Sequence, residues 1–127
     1  LKGTNLGSWL LLEPWMLGNK HACCNFADMT QLLDRFVERD GGDSLINVFY
    51  DNWITTRDFD LLKAFRINVI RLPFWYRHLE PHPQTDPWSL RSNAFKYMDW
   101  AVEQAAARGM WTILDLHGAV GGQNGFD

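Results

Sequence analysis

Hydrophobic and polar positions follow two periods along the chain, one typical of short buried strands and one typical of helices. A first strand is expected over Lys2 to Leu6, and short apolar runs occur from Asn68 to Pro73 and around Ile113 to His117. Between these runs, apolar residues recur at spacings of three and four, which is the pattern of an amphipathic helix. The sequence therefore predicts three strands separated by helices.

Four helices are predicted from this spacing. Thr55 followed by Asp58 resembles a capping box at the start of the third helix, and the fourth is expected to run from Ser92 or Asn93 to about Arg108. The residues expected to face the core are Met29, Leu32, Leu33, Phe36 and Val37; then Leu45, Ile46, Phe49 and Trp53; then Phe59, Leu62 and Phe65; and finally Phe95, Met98, Val102 and Ala105. Residues 75–90, rich in aromatic residues and proline, are predicted to form an irregular functional loop.

Strand, helix and strand in this order favour parallel pairing with a right-handed crossover, so the predicted fold class is α/β. A closed (β/α)₈ barrel needs roughly 250 residues, and the chain has 127. The chain begins with Leu1 rather than methionine, and Asp127 lies in a loop that has just left a strand. We therefore expect residues 1–127 to be a portion of a larger domain, without an internal domain boundary.

Composition narrows the possible partners. The chain is 46% hydrophobic and 21% charged, with a net charge of −3, which argues against nucleic acid or an anionic membrane as a partner. No apolar run approaches the ~20 residues that span a bilayer, and no secretory leader pattern opens the chain. We expect a globular enzyme portion.

The cysteines predict neither a disulfide framework nor a metal site. Cys23 and Cys24 are adjacent in sequence, and a bond between neighbours would close a strained ring. His21 lies close by, but this cluster lacks a distant partner pair with the spacing of a zinc site. We expect an ordinary loop and no metal.

Polar side chains stand where two of the predicted strands end. Asp115 and His117 should face the same way because strand side chains alternate with a period of two, and Arg71 lies near the exit of the preceding strand. Barrel enzymes carry their chemistry at these carboxyl ends. From the residues alone, Arg71 could equally be a structural arginine paired with a core carboxylate, and His117 a satisfied structural histidine.

An ordered set of motifs goes further than these single residues. The motifs are GTNLGSWL at 3–10, LEPW at 12–15, IRLP at 70–73, DLHG at 115–118 and GGQNGFD at 121–127. Together they resemble glycoside hydrolase family 5, nearest its exo-β-1,3-glucanase branch, and correspond to the first three strand–helix units of that family's TIM barrel. Ser8 is a departure, since the family commonly has a second glycine there.

The resemblance implies retaining hydrolysis of β-glucosidic bonds by two glutamates about 5 Å apart. Both belong to later strands of the family's barrel and match no position between Leu1 and Asp127, so no catalytic residue is expected in this portion. The implied substrate is a β-glucan or oligosaccharide, without cofactor or metal, and the resemblance favours an extracellular or periplasmic location.

Residue by residue, the resemblance gives Arg71 the task of holding the nucleophile's carboxylate ionised and oriented. It gives His117 hydrogen bonds to sugar hydroxyls, for which a group that both donates and accepts is suited. Asp115 is expected beneath the mouth of the barrel, satisfied by backbone donors.

Three further substrate-binding residues follow from the same resemblance. Glu13 would bind two hydroxyls of the terminal glucose. Because the residues around it in the sequence are apolar, a role in binding is favoured over a solvated glutamate without a ligand. Phe126 would stack on a sugar beyond the cleavage point, with Asp127 in the same loop.

Other interpretations remain open. A barrel without its catalytic glutamates would be an inactive carbohydrate-binding protein. A doubly wound nucleotide-binding domain fits the strand–helix order, but the loop after Gly118 lacks the Gly-x-Gly-x-x-Gly spacing. We also expect that residues 1–127 alone would be inactive and would need the remainder of the barrel to fold stably.

Overall fold

The computed structural model describes residues 1–12, 29–40, 44–81 and 85–120, with residues 36–40 and 44–45 described by their backbone alone. Its elements are β1 (Gly3–Asn5), α1 (Met29–Asp40), α2 (Ser44–Trp53), α3 (Thr56–Ala64), β2 (Val69–Trp75), a 3₁₀ turn (Tyr76–His78), α4 (Lys96–Ala106) and β3 (Trp111–Gly118).

The three strands form one parallel sheet in the order β1-β2-β3. Asn5 of β1 pairs in register with Arg71 of β2, and Arg71 pairs with Ile113 of β3. Helices fill the connections between the strands, as parallel pairing requires. The α/β prediction is confirmed.

The core lies on the helix-facing side of this sheet. Ile70 and Leu72, which alternate along β2, are completely buried and belong to the same apolar cluster as Phe59 of α3 and Met98 and Ala105 of α4. The other side of β2 carries Arg71. Alternation along one strand thus separates the core from the candidate site.

Trp9 joins the segment after β1 to the helices. Its side chain is 1% exposed, and its indole N–H donates to the backbone oxygen of Tyr50 in α2 at 2.8 Å. Its ring packs edge-on against Tyr97 and Trp100 of α4. This aromatic cluster fixes where the chain leaves β1.

Several predicted helix faces are correct. Met29, Leu33, Ile46, Phe59 and Met98 are buried as expected. The side chains of Leu32, Phe49 and Leu62 pack partly buried against the core, and those of Phe36, Val37 and Leu45 lie outside the described residues.

Other members of the predicted faces are exposed, namely Trp53, Phe65, Phe95 and Val102. In α4, Ala105 is buried as predicted and Ala101 is buried in addition, both at 0% exposure, because small side chains let the helix approach the sheet closely. In α2 the buried ring is Tyr50. Tertiary packing thus leaves some large hydrophobic residues of the predicted faces at the surface.

The boundaries of two elements also differ from expectation. Helix α4 begins at Lys96, after hydrogen-bonded turns over residues 92–95, rather than at Ser92 or Asn93. The first part of the segment 75–90 is more regular than predicted, since Trp75 completes β2 and the 3₁₀ turn follows it. The capping box is confirmed: the backbone N–H of Thr55 donates to Asp58 Oδ2 at 2.8 Å.

Backbone strain occurs just after β1, at Ser8. This residue has φ 59°, a left-handed conformation that glycine adopts without steric cost. A glycine would therefore suit this turn better than serine does.

Strand β3 lies at an edge of the described sheet. Its apolar side chains are half exposed on both faces, with Ile113 at 53%, Leu114 at 52% and Leu116 at 51%. Leu114 and Leu116 do lie opposite Asp115, but nothing among the described residues buries them as the sequence pattern predicts. Both faces of β3 thus present apolar surface.

Candidate active site

Arg71 occupies the third position of β2, on the side of the sheet opposite the buried Ile70 and Leu72. Its side chain is 36% exposed, and its Nη1 lies 3.5 Å from Asn5 Oδ1 on β1. Alternation along β2 thus directs a guanidinium to the face opposite the buried core.

Asp115 and His117 come from the carboxyl half of β3. The register between β2 and β3 shifts there, because Phe74 pairs with Leu116 while Trp75 pairs with Gly118, which leaves His117 as the extra residue of a bulge. Bulges redirect side chains and are frequent beside active sites. The imidazole is thereby placed next to the carboxylate two residues earlier.

These side chains form one polar cluster. Arg71 Nη2 lies 2.5 Å from Asp115 Oδ2 and 3.0 Å from His117 Nδ1, and His117 Nδ1 lies 3.1 Å from Asp115 Oδ2. Asp115 is the most enclosed of the three side chains, at 26% exposure against 43% for His117. The site therefore has a carboxylate at its base and two nitrogen-bearing groups towards solvent.

The donor and acceptor pattern identifies the histidine tautomer. Every guanidinium N–H of Arg71 is a donor, so the 3.0 Å contact makes His117 Nδ1 the acceptor. In the neutral ring the proton then belongs to Nε2. His117 consequently presents an N–H donor on its other edge, suitable for a hydroxyl oxygen.

A model of one enzyme family matches residues 37–125, and it is described as Cellulase (glycosyl hydrolase family 5). The chain belongs to glycosyl hydrolase family 5. The predicted family resemblance is confirmed.

Curated relatives of this family 5 chain include a glucan 1,3-beta-glucosidase of Blumeria graminis, 33% identical over 132 residues, and a beta-xylosidase of Phanerodontia chrysosporium, 35% identical over 124 residues. The alignments cover 100% and 98% of the chain, but only 30% and 25% of the relatives. The chain thus spans less than a third of these proteins.

Solved structures agree on the fold. The crystal structure of rutinosidase from Aspergillus niger superposes with a TM-score of 0.76 at 27% identity, covering 98% of this chain and 35% of that one. A second structure, AoRut, gives a TM-score of 0.73 at 28% identity, covering 98% of this chain and 34% of that one. The prediction of a partial (β/α)₈ barrel is confirmed.

The structure accounts for some of the predicted site residues of the family 5 chain. Arg71 and His117 are brought together at one end of the sheet. Glu13, Phe126 and Asp127 lie outside the described residues.

Two features of the site differ from the sequence analysis. The expectation that backbone donors satisfy Asp115 is wrong, since its Oδ2 contacts the side chains of Arg71 and His117. Sequence analysis also missed Asn5, although a polar residue that ends β1 was the same signal that identified Arg71.

Aromatic residues at the end of β2 and in the 3₁₀ turn that follows it support the fold. Trp75, Tyr76 and His78 are buried, and His78 Nε2 lies 2.8 Å from the backbone oxygen of Leu10. Trp88, by contrast, is 92% exposed.

A second polar cluster lies on the helical side, around a 440 Å³ cavity between α2, α3 and α4. Lys96 Nζ donates to Asp51 Oδ1 at 2.7 Å. This hydrogen bond lowers the pKa of Asp51 and raises the pKa of Lys96. Burial raises the pKa of the neighbouring Tyr97 hydroxyl. Both members of the ion pair are therefore held ionised.

Within the described ranges, His, Cys, Asp and Glu side chains form no group of three or more that could hold a metal ion. His21, Cys23 and Cys24 lie outside those ranges. No helix that the structure describes is both long and apolar enough to cross a bilayer.

Proposed function

We propose that residues 1–127 are the amino-terminal portion of a single catalytic domain of a retaining glycoside hydrolase. The complete enzyme would cleave β-glucosidic bonds of glucans in the manner of an exo-β-1,3-glucanase. The observation that carries this proposal is the cluster that Arg71, from the middle of β2, forms with Asp115 and His117 in the carboxyl half of the neighbouring parallel strand β3. In barrels this end bears the active site.

Arg71 would act on the nucleophilic carboxylate supplied by a later strand. Only its Nη2 contacts Asp115 and His117, and its Nη1 has a long contact to Asn5, so other N–H donors of the guanidinium can meet a second carboxylate. A fixed arginine fork holds a carboxylate both ionised and oriented.

His117 would bind the sugar. With Nδ1 accepting from Arg71, its Nε2–H is a donor fixed by the protein, and the ring is 43% exposed. A fixed donor favours a sugar that carries the matching hydroxyl over an analogue that lacks it, because the analogue would leave the donor unpaired at a cost in binding free energy.

Glu13, Phe126 and Asp127 would complete the substrate site on the strength of the sequence motifs. Glu13 would accept hydrogen bonds from the terminal glucose, and Phe126 would stack on the adjacent sugar. Together with the catalytic glutamates on later strands, these residues define an exo-acting site.

A β-xyloside is the second candidate substrate, because one relative at 35% identity is named a beta-xylosidase. Glucose differs from xylose by its hydroxymethyl group, so a pocket for the glucose C6 hydroxyl would favour glucan. The relative rates of hydrolysis of a β-glucan and a β-xyloside therefore distinguish the two candidate substrates.

The test is an assay of the complete protein that contains this chain. We expect it to release glucose from laminarin faster than from cellulose or mannan, and faster than it releases xylose from an aryl β-xyloside. Preferential xylose release would keep the family and overturn the glucan proposal. Sugar binding without hydrolysis would favour the inactive carbohydrate-binding barrel.

A further inference from the structure

We propose that Asp115 is the positioning residue of this site: it orients Arg71 and thereby fixes the tautomer of His117. The inference deepens the proposed function and rests on it for its kinetic consequences. Its structural consequence, the protonation of one imidazole nitrogen, is independent of any activity.

The first step is the orientation of the guanidinium. Asp115 Oδ2 lies 2.5 Å from Arg71 Nη2, whereas Asn5 Oδ1 lies 3.5 Å from Nη1. The short contact is to the carboxylate and the long one is to the neutral amide. The charged contact on β3 therefore decides which edge of the guanidinium faces that strand.

The second step concerns the imidazole. With Nη2 turned towards β3, one N–H of Arg71 reaches His117 Nδ1 at 3.0 Å, an aligned hydrogen bond. Asp115 Oδ2 lies 3.1 Å from the same nitrogen, but it makes an aligned hydrogen bond to neither His117 nor Arg71, so its hold on Arg71 is that of an ion pair. Asp115 thus acts on His117 mainly through Arg71, and its negative charge also offsets the cation beside the ring.

The third step is the way in which the geometry of the strands places side chains beside Asp115. The bulge at His117 brings its ring back beside Asp115, on the face of the sheet that also carries Arg71. The polar partners of the carboxylate among the described residues are consequently side chains, the same two that face the proposed substrate. A purely structural carboxylate would not need the partners that bind substrate.

The experiment compares Asp115→Asn with Asp60→Asn in the complete protein. Asp60 of α3 is a matched control because it also pairs with an arginine, Arg108, at 2.7 Å, but Arg108 lies just after α4 and away from the site. The first readout is nitrogen NMR of His117. We expect the Nε2–H tautomer in the parent and in Asp60→Asn, and a mixture of tautomers in Asp115→Asn.

The second readout is steady-state kinetics on an aryl β-glucoside. Misplacement of a positioned group by about 1 Å costs on the order of 100-fold, so kcat should fall about 10- to 100-fold in Asp115→Asn and stay within about twofold of the parent in Asp60→Asn. Asp115→Glu, which keeps the charge, should recover part of the loss.

Each outcome decides the proposal. An Nδ1–H tautomer in the parent, or unchanged tautomers and kinetics in Asp115→Asn, would overturn it. If Asp115→Asn does not fold, the parent tautomer and the kinetics of Asp115→Glu decide. If the parent hydrolyses no glycoside, the proposed function fails, while the NMR comparison still tests the positioning role.

Discussion

Arg71 connects three strands at the candidate site. Its guanidinium contacts Asn5 on β1 and both Asp115 and His117 on β3. A planar group with donors along its edges can make these contacts together, whereas the compact ammonium of lysine cannot. The chemistry of the site therefore depends on the side-chain type at this position as well as on its charge.

Replacement of Arg71 by lysine tests this dependence. We expect kcat of the complete protein to fall by about 100-fold, because the charge remains but the positioned fork is lost. Arg108→Lys is the control, since Arg108 pairs with Asp60 away from the site. Steady-state kinetics of both variants would check the prediction, and equal losses in the two would contradict it.

Sequence alone anticipated which strand ends carry polar groups, because alternation with a period of two is visible in the chain. It did not anticipate that His117 occupies a bulge, since a bulge adds a residue without changing the type of the residues around it. It also misassigned the partners of Asp115. Side-chain pairing across strands depends on register, which the sequence pattern does not fix.

At the scale of elements, the start of α3 was predictable from the sequence, whereas the buried face of α4 was predictable only in part. Capping follows from a few adjacent residues, as at Thr55 and Asp58. The buried face of α4 depends on how closely the helix approaches the sheet, which is why Ala101 displaced the expected Val102. Local signals therefore succeeded where tertiary contacts were not needed.

Helix α3 ends in a Schellman motif with an unfavourable residue. Arg66 has φ 59°, its N–H donates to the Lys63 oxygen at 2.9 Å, and the Ile67 N–H donates to the Leu62 oxygen at 3.0 Å. Arg66→Gly should raise the free energy of unfolding of the complete protein by about 1 kcal/mol, because glycine adopts this conformation without strain. Denaturant unfolding checks it, and Arg66→Ala, which keeps the Cβ, should show no such gain.

The end of helix α4 allows the opposite substitution, from glycine to a residue with a Cβ. Gly109 has φ 71° at the same kind of helix end, and a Cβ there would meet Lys63 Nζ only at 3.8 Å. Gly109→Ala should therefore destabilise the protein by roughly 1–2 kcal/mol through backbone strain rather than a clash. Thermal unfolding measures the change, and a neutral result would contradict the strain argument.

The ion pair between Asp51 and Lys96 links α2 to α4 and should make a small, pH-dependent contribution to stability. Hydrogen bonding to Lys96 lowers the pKa of Asp51 from its ordinary value of 3.8, so the stabilisation is present above that pH and is lost as pH falls through the folded-state pKa. Both side chains are about half exposed, so we expect at most about 1 kcal/mol at neutral pH.

Unfolding of Asp51→Asn and of the parent protein between neutral and acidic pH would test this contribution. The difference between the two should narrow below pH 3.8. A difference that grows in acid would contradict the assigned sign.

At the scale of the whole molecule, β3 determines how this portion relates to the rest of the barrel. Its apolar side chains are half exposed on both faces, and an apolar groove of 490 Å³ runs beside it, lined by Val102, Met110 and Leu114 among others. A parallel strand normally has both faces covered and both edges paired. The fold class could be predicted from the order of the elements, whereas the exposure of the apolar side chains of β3 could be measured only in the structure.

Residues 1–127 expressed alone should consequently fold without a cooperative transition. We expect strong binding of a hydrophobic dye and a broad thermal profile, in contrast to the sharp unfolding of the complete protein. Calorimetry of both would check this. A single sharp transition for the isolated residues would contradict the proposed dependence on the rest of the barrel.

The central claim is that this family 5 chain belongs to a retaining β-glucan hydrolase whose site is organised by Arg71, Asp115 and His117. Proton NMR of laminarin hydrolysis by the complete protein tests it most directly, because it records the configuration of glucose as it is released. The account predicts that β-glucose appears first and α-glucose follows by mutarotation. Initial release of α-glucose, or no hydrolysis of laminarin, would contradict it.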